Sequence, residues 1–320
     1  MLSAQKISFL TAETDTIQNA IEKAIAYARP FLGNGAPADY IPELAKADPN
    51  QLAVCVATLG NGTYCCGDCH QKFTLQSISK VISLILAVED RGVDAVFEKV
   101  GMEPTGDPFN SIIRLESASS KPSNPMINAG AIVVNSMIKG SSGEERFQRL
   151  LDLLRRLCGN ASIGYSEETF RSEQHTGDKN RALTYMMRSG GIISGDIEEH
   201  LECYFKFCSV LVDCTDIARL GAVLANDGYS PETGECMVSL EVLKIVRALM
   251  VTCGMYDFSG EFAALVGLPS KSGVGGGIVS VVPNTMGIGV FGPALDKRGN
   301  SVGGIKILEY LSRNYGLSIF

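Results

Sequence analysis

Gln76-Ser77-Ile78-Ser79-Lys80, running into the apolar stretch Val81 to Val88, is the segment on which the fold turns. The apolar stretch predicts a helix, and two strand-like segments lie just upstream of it. On a helix, Ser77 and Lys80 stand one turn apart on one face. A serine hydroxyl is a weak nucleophile at neutral pH. A lysine held in a dry site can lose its proton and serve as the base beside it. At the start of a helix the Ser77 amide also has no intrahelical acceptor and is free to donate elsewhere.

The spacing alone is common. Ser-x-x-Lys occurs also at Ser3–Lys6 and Ser136–Lys139. Ser3 lies near a terminus. Lys139 is followed by the breaker string Gly140-Ser141-Ser142-Gly143. Motif and context leave Ser77 open between a nucleophile and an ordinary helix-start serine. Lys271-Ser272-Gly273 near the other end adds weight, because serine acyl-transfer enzymes of the β-lactamase and penicillin-binding class carry such a pair of motifs.

Working outward, Thr16 to Arg29 reads as a helix with Ile17, Ile21, Ala24, Ile25 and Ala28 on one face, stopped by Pro30. Leu52–Leu59 and Thr63–Gly67 read as strands joined at Gly60-Asn61-Gly62. Residues 80–250 read as mostly helical, with loops at Pro104–Pro108, Ser117–Pro125 and Ser172–Arg181. Strand character returns at Lys271–Val282 and Met286–Phe291, and a helix covers Ser301–Asn314. This order predicts an α+β fold. The sheet domain would come from both chain ends, 1–75 and 251–320, with a helical domain, 76–250, inserted to form one catalytic unit.

Of the 320 residues 45% are hydrophobic and 20% charged, enough for a sizeable core. A net charge of −7 with no basic run argues against nucleic acid as a partner. No apolar stretch reaches the roughly 18 residues of a membrane span. The N-terminus reads as no signal peptide, so a cytoplasmic location is expected. Ten cysteines are too few for a disulfide scaffold and are expected to be unpaired, mostly buried thiols. Cys65-Cys66-x-x-Cys69-His70 offers half of a zinc site, but Cys203 and Cys208 have the wrong spacing to complete it. Cys66 and Cys69 as a redox pair lack the helix start that such a motif requires. Gly275-Gly276-Gly277 lies within strand-like sequence, which suits close backbone approach rather than a nucleotide.

Several longer segments recur together. They are Tyr40-Ile41-Pro42-Glu43-Leu44-Ala45, the Ser77 segment, and Asn124-Pro125-Met126-Ile127-Asn128-Ala129-Gly130-Ala131. Ser172-Glu173 with Asn180-Arg181-Ala182 follows, then Cys253-Gly254-Met255-Tyr256-Asp257-Phe258-Ser259-Gly260-Glu261 and Lys271-Ser272-Gly273-Val274-Gly275-Gly276-Gly277. From about Ile21 to Tyr315 the chain resembles the serine-dependent, β-lactamase-like glutaminases of the short bacterial type. The resemblance implies a β-lactamase/transpeptidase-like fold, an antiparallel sheet flanked by helices. It also implies hydrolysis of L-glutamine to L-glutamate and ammonia with no cofactor and no metal, by a homodimer or homotetramer.

Family roles map position by position. Ser77 matches the nucleophile, Lys80 its base, Tyr256 a tyrosine beside them and Tyr40 a second one. Asn128, Glu173, Asn180 and Tyr204 match substrate contacts. Val274 matches a residue whose backbone N–H faces the reacting carbonyl. Taken singly, Glu173 reads equally as a solvated loop acid, Asn128 as a helix cap, and Tyr256 and Tyr204 as packed aromatics. No Ser-x-Asn motif is evident. His70, His175 and His200 fall in no nucleophile–His–acid order. The alternatives are another β-lactamase-like serine amidase or peptidase, or a non-catalytic amino-acid-binding protein.

Overall fold

The computed structural model describes residues 16–60, 62–106 and 121–320. The Ser3–Lys6 match, Asn61 of the expected turn and the loop stretch 107–120 lie outside them. Helix α1 (Ile17–Ala28) leads through a 3-10 turn to the hairpin β1 (Ala53–Thr58) and β2 (Thr63–Gly67). A short β3 (Phe73–Thr74) and a 3-10 turn, Gln76–Ile78, precede α2 (Ser79–Arg91). Next come α3 (Val93–Lys99), α4 (Asn128–Met137), α5 (Gly143–Cys158), α6 (Glu167–Thr176), α7 (Asp178–Ser189) and α8 (Ile197–Cys208). β4 (Leu211–Val212) pairs with β3. It is followed by α9 (Cys214–Ala225), α10 (Leu240–Cys253) and α11 (Ser259–Leu265). β5 (Ser270–Ser272), β6 (Gly277–Val282), β7 (Met286–Phe291) and α12 (Val302–Tyr315) complete the order.

The main sheet is antiparallel, in the order β2-β1-β7-β6-β5. Side chains alternate across it, as the pleat requires. Leu52, Val54 and Val56 pack with Ile288 and Val290 against α1 and α12 on one side. Ala53, Cys55 and Ala57 face α9 on the other, in a core that α2 and α10 also enter. Thr16 caps α1 by accepting from the Asn19 amide, and Ile17, Ala20, Ile21, Ala24, Ile25 and Ala28 form its buried stripe. Burying a side chain of isoleucine size contributes about 1.5–3 kcal/mol, so this stripe fixes α1 on the sheet.

Helix α9 lies across the opposite face, on β1, β6 and β7. Asp213 and Asp216 start it with a reciprocal capping box. A Cβ on Gly287 would stand 2.1 Å from the Ala222 nitrogen and 2.2 Å from the Ala218 carbonyl oxygen, so only glycine admits the helix here.

The structure corrects three expectations. Lys271–Val282 is two strands, because Gly276, at φ 95°, turns the chain back after β5. The segment Ser172–Arg181 is no loop: α6 and α7 run through it and meet at Gly177, where a Cβ would come within 2.5 Å of the Phe205 ring. Two cysteines are paired. Cys55 and Cys65 face each other across the hairpin with Cα atoms 4.2 Å apart, and they form a disulfide. Directly opposed strand residues bring their Cβ atoms within bonding reach once the turn sets the register. No helix among the described residues is long and apolar enough to cross a membrane.

Candidate active site

The turn Gln76–Ile78 carries Ser77 to the floor of a cleft between the α-helical layer and the end of β5. Gln76 holds φ 47°, a left-handed conformation that costs a non-glycine residue about 1–3 kcal/mol. Lys80, in the first turn of α2, is 1% exposed. Its Nζ lies 2.7 Å from Ser77 Oγ and 2.8 Å from Asn128 Oδ1. Burial lowers the Lys80 pKa to about 8, against the opposing pull of Cys208 and Glu173. A substantial neutral fraction therefore exists near physiological pH, as a base requires.

Asn128 opens α4, yet it does not cap it. Its Nδ2 donates to Asn180 Oδ1 at 3.0 Å, so it links Lys80 to α7. Glu173 is buried on α6, and that burial raises its pKa to about 7. A hydrogen bond with Gln76 and the charge of Lys80 pull the other way.

On the strand side, Tyr256 holds φ 57° in a 3-10 turn after α10. Its hydroxyl donates to the Ser272 carbonyl at 3.2 Å and hydrogen-bonds with Ser77, while burial pushes its pKa up. Lys271 on β5 is fully buried beneath it, with Nζ 4.5 Å from the ring centroid. Lys271 donates to the carbonyls of Gly254 (3.1 Å) and Ser272 (2.7 Å). Burial, then the charge of Lys80, drives its pKa well down. A Cβ on Gly273 would stand 3.4 Å from the Ser77 amide nitrogen, so the end of β5 packs directly on the serine turn.

The cleft is about 240 Å³, sized for a small amino acid, and is lined by Tyr40, Gln76, Ser77, Asn128, Glu173, Asn180, Tyr204, Cys208 and Val274. Lys80 and Tyr256 support Ser77 from below and from the strand side. All nine residues singled out from the sequence thus gather at one place. Tyr204 also packs in the helical core, and Tyr40 stands half-exposed at the rim.

Six residues of the cleft lining had no role assigned from the sequence: Ile41, Gln76, Thr176, Gly177, Lys179 and Cys208. Gln76 touches Glu173 and Thr74, and its place beside Ser77 was the available signal. Cys208 was read only as half of a failed metal pair. It lies against Tyr204 and Ser79, with burial raising its pKa to about 12. Ser136 and Lys139 form no pair, since the Ser136 hydroxyl donates to the Val133 carbonyl and Lys139 lies beyond α4. A second cavity of about 220 Å³ is lined by Arg156, Arg219, Glu232 and Glu235. Its arginines already face glutamates, at 2.6 Å for Arg156–Glu235 and 3.6 Å for Arg219–Glu232, and it offers no nucleophile beside a base.

An antiparallel sheet with a helical layer, and a serine and a buried lysine in contact where the two meet, defines a class: a β-lactamase-like α+β enzyme of the serine type. Residues 35–320 match the Glutaminase family, and the chain belongs to it. A glutaminase of Clostridium tetani is 54% identical over 305 residues, covering 95% of this chain and all of that protein. The crystal structure of a probable Bacillus subtilis glutaminase superposes with TM-score 0.89 at 41% identity, covering 95% of this chain and 97% of that one. The B. subtilis glutaminase YbgJ, in covalent complex with 5-oxo-L-norleucine formed from 6-diazo-5-oxo-L-norleucine, superposes with TM-score 0.88 at 40% identity, covering 95% and 100%.

Proposed function

We propose that this protein hydrolyses L-glutamine through a covalent glutamyl-Ser77 intermediate. The observation that carries the reading is the 2.7 Å contact between Ser77 Oγ and a fully buried Lys80 whose pKa is lowered to about 8. Neutral Lys80 accepts the Ser77 proton as Oγ attacks the substrate δ-carbonyl. The oxyanion is held by the backbone N–H groups of Ser77 and Val274, both at the cleft wall. The C–N bond breaks as the proton Lys80 took from Ser77 passes to the departing ammonia, relayed through Tyr256 beside Ser77, so that Lys80 is neutral again and Tyr256 keeps its hydroxyl. Water then attacks the ester. Lys80 takes up the water's proton and returns it to Ser77 Oγ as the ester C–O bond breaks, so that L-glutamate leaves with Ser77 and neutral Lys80 restored.

The zwitterionic end of the substrate selects glutamine. Ionised Glu173 pairs with its ammonium, while Tyr40, Tyr204 and Asn180 offer donors to its carboxylate. Asn128 holds Lys80 and Asn180 in register. Asparagine, one methylene shorter, would keep its amide away from Ser77 and lose the proximity term. Covalent capture by 6-diazo-5-oxo-L-norleucine in YbgJ supports the intermediate. Ammonia release from glutamine, asparagine and D-glutamine, run beside nitrocefin, tests the assignment. Glutamine must dominate, and turnover of nitrocefin alone would replace the reading with a β-lactamase. We further propose a cytoplasmic homodimer or homotetramer, on the family resemblance; a monomer across micromolar concentrations in light scattering would remove that part.

A further inference from the structure

The sequence motif Cys65-Cys66-x-x-Cys69 belongs to nothing in the active site, and none of its cysteines lines the cleft. The structure regroups it. Cys65 on β2 is bonded to Cys55 on β1, and Cys69, in the turn after β2, brings a third sulfur to the same spot. The three sulfur atoms all lie within 4.8 Å of one another. Cys66 points to the other face of the hairpin, against the core beneath α1. The Cys69 thiol is a free thiol that donates to the carbonyls of Cys66 (3.0 Å) and Val54 (3.6 Å). Thr215 Oγ1 lies 3.5 Å from the Cys55 sulfur and 3.6 Å from that of Cys65, close enough to donate to whichever becomes a thiolate.

We propose that Cys55, Cys65 and Cys69 form a three-thiol exchange centre in which one disulfide moves among three sulfurs. In the first step the buried Cys69 thiol, whose pKa burial raises to about 11, gives up its proton in a small fraction of molecules, and that thiolate attacks the Cys65 sulfur. A Cys65–Cys69 bond forms as the Cys55–Cys65 bond breaks. Cys55 leaves as a thiolate, helped by the Thr215 hydroxyl, and takes a proton. Attack on Cys55 gives Cys55–Cys69 in the same way. No net oxidation occurs, and neither step needs a reagent from outside. Cys65, half-buried, is the member a small external thiol reaches.

The test is disulfide mapping of the full chain after equilibration with reduced and oxidised glutathione and rapid alkylation. The wild-type chain is expected to yield Cys55–Cys65 together with Cys65–Cys69 or Cys55–Cys69 peptides. Cys55→Ser is expected to yield Cys65–Cys69, Cys65→Ser to yield Cys55–Cys69, and Cys69→Ser only Cys55–Cys65. Each variant should keep glutamine turnover near the wild-type level, which also reports that it is folded. A wild-type chain holding Cys55–Cys65 alone, with Cys69 alkylated, would overturn the proposal whatever the variants form. So would a Cys66–Cys69 bond in place of the expected ones. The wild-type map decides the matter even where a variant fails to fold.

Discussion

The two walls of the cleft each bury a lysine, and the two lysines are held in opposite ways. Lys80, on the helical wall, bonds side chains: the Ser77 hydroxyl, which can both give and take a proton, and the Asn128 amide. Lys271, on the strand wall, bonds the carbonyls of Gly254 and Ser272 beneath the face of Tyr256. Carbonyls and a ring face only accept. Lys271 therefore has no proton to receive from the carbonyls it bonds, whereas Lys80 bonds a hydroxyl that has one within 2.7 Å. Burial disfavours charge on both, and the charge of Lys80 further disfavours charge on Lys271. Under the proposed mechanism, partner chemistry rather than burial distinguishes the two lysines. Lys271 ties the Gly254 and Ser272 carbonyls together beneath Tyr256.

The largest effect should follow from the helical wall. Ser77→Ala is expected to remove ammonia release by about 10⁴-fold or more with the circular dichroism spectrum unchanged. Lys80→Ala should lose nearly as much, and the double variant hardly more, because the two residues act as one unit. A double variant much worse than either single would break that unit.

Lys271→Met should cost less, about 10–100-fold, and mainly in kcat with KM little changed, since this lysine acts through Tyr256 and not on the substrate. A loss as deep as that of Lys80→Ala would erase the distinction between the walls. Glu173→Gln is expected to raise KM for glutamine by about 10–100-fold, the loss of one charge-assisted hydrogen bond. The same variant should narrow the preference over amides lacking the α-amino group. An unchanged KM would return Glu173 to a structural role.

The smallest effect is the pH dependence. Lys80 must be neutral in the free enzyme, and its pKa near 8 lies below that of an ordinary lysine. As pH rises from 7 to 9 its neutral fraction grows about tenfold, and kcat/KM should rise with it. Glu173, raised to about 7, ionises in the same direction and steepens the fall below neutrality. A profile flat from pH 6 to pH 9 would contradict a titrating lysine.

How much of this was legible in the sequence follows the range of the interactions. Ser77 and Lys80 are three residues apart, so local spacing alone put them together. The stripe of α1 and the strands β1, β2 and β7 carried their own periodicity. Glu173 was harder, because Ser172-Glu173-Gln174-His175 is polar enough to read as a loop. Only one face of its helix is buried, at Thr169, Phe170 and Glu173, and Glu173 meets Gln76 through a contact that only tertiary packing creates. The disulfide depended on a register set by the hairpin, which makes Cys55 oppose Cys65 and turns Cys66 to the other face. Helix α9 looked like any other apolar helix. The glycines at 287 and 289 that let it rest on the sheet were visible, but not what approached them.

The covalent intermediate is the central claim, and trapping it is the most direct test. The wild-type chain is incubated with 6-diazo-5-oxo-L-norleucine, digested and mapped by mass spectrometry, beside Ser77→Ala and Lys271→Met. One adduct per chain is expected, on Ser77. It should be absent in Ser77→Ala and form more slowly in Lys271→Met. An adduct on another residue, or inactivation of the wild-type chain with Ser77 unmodified, would contradict the account.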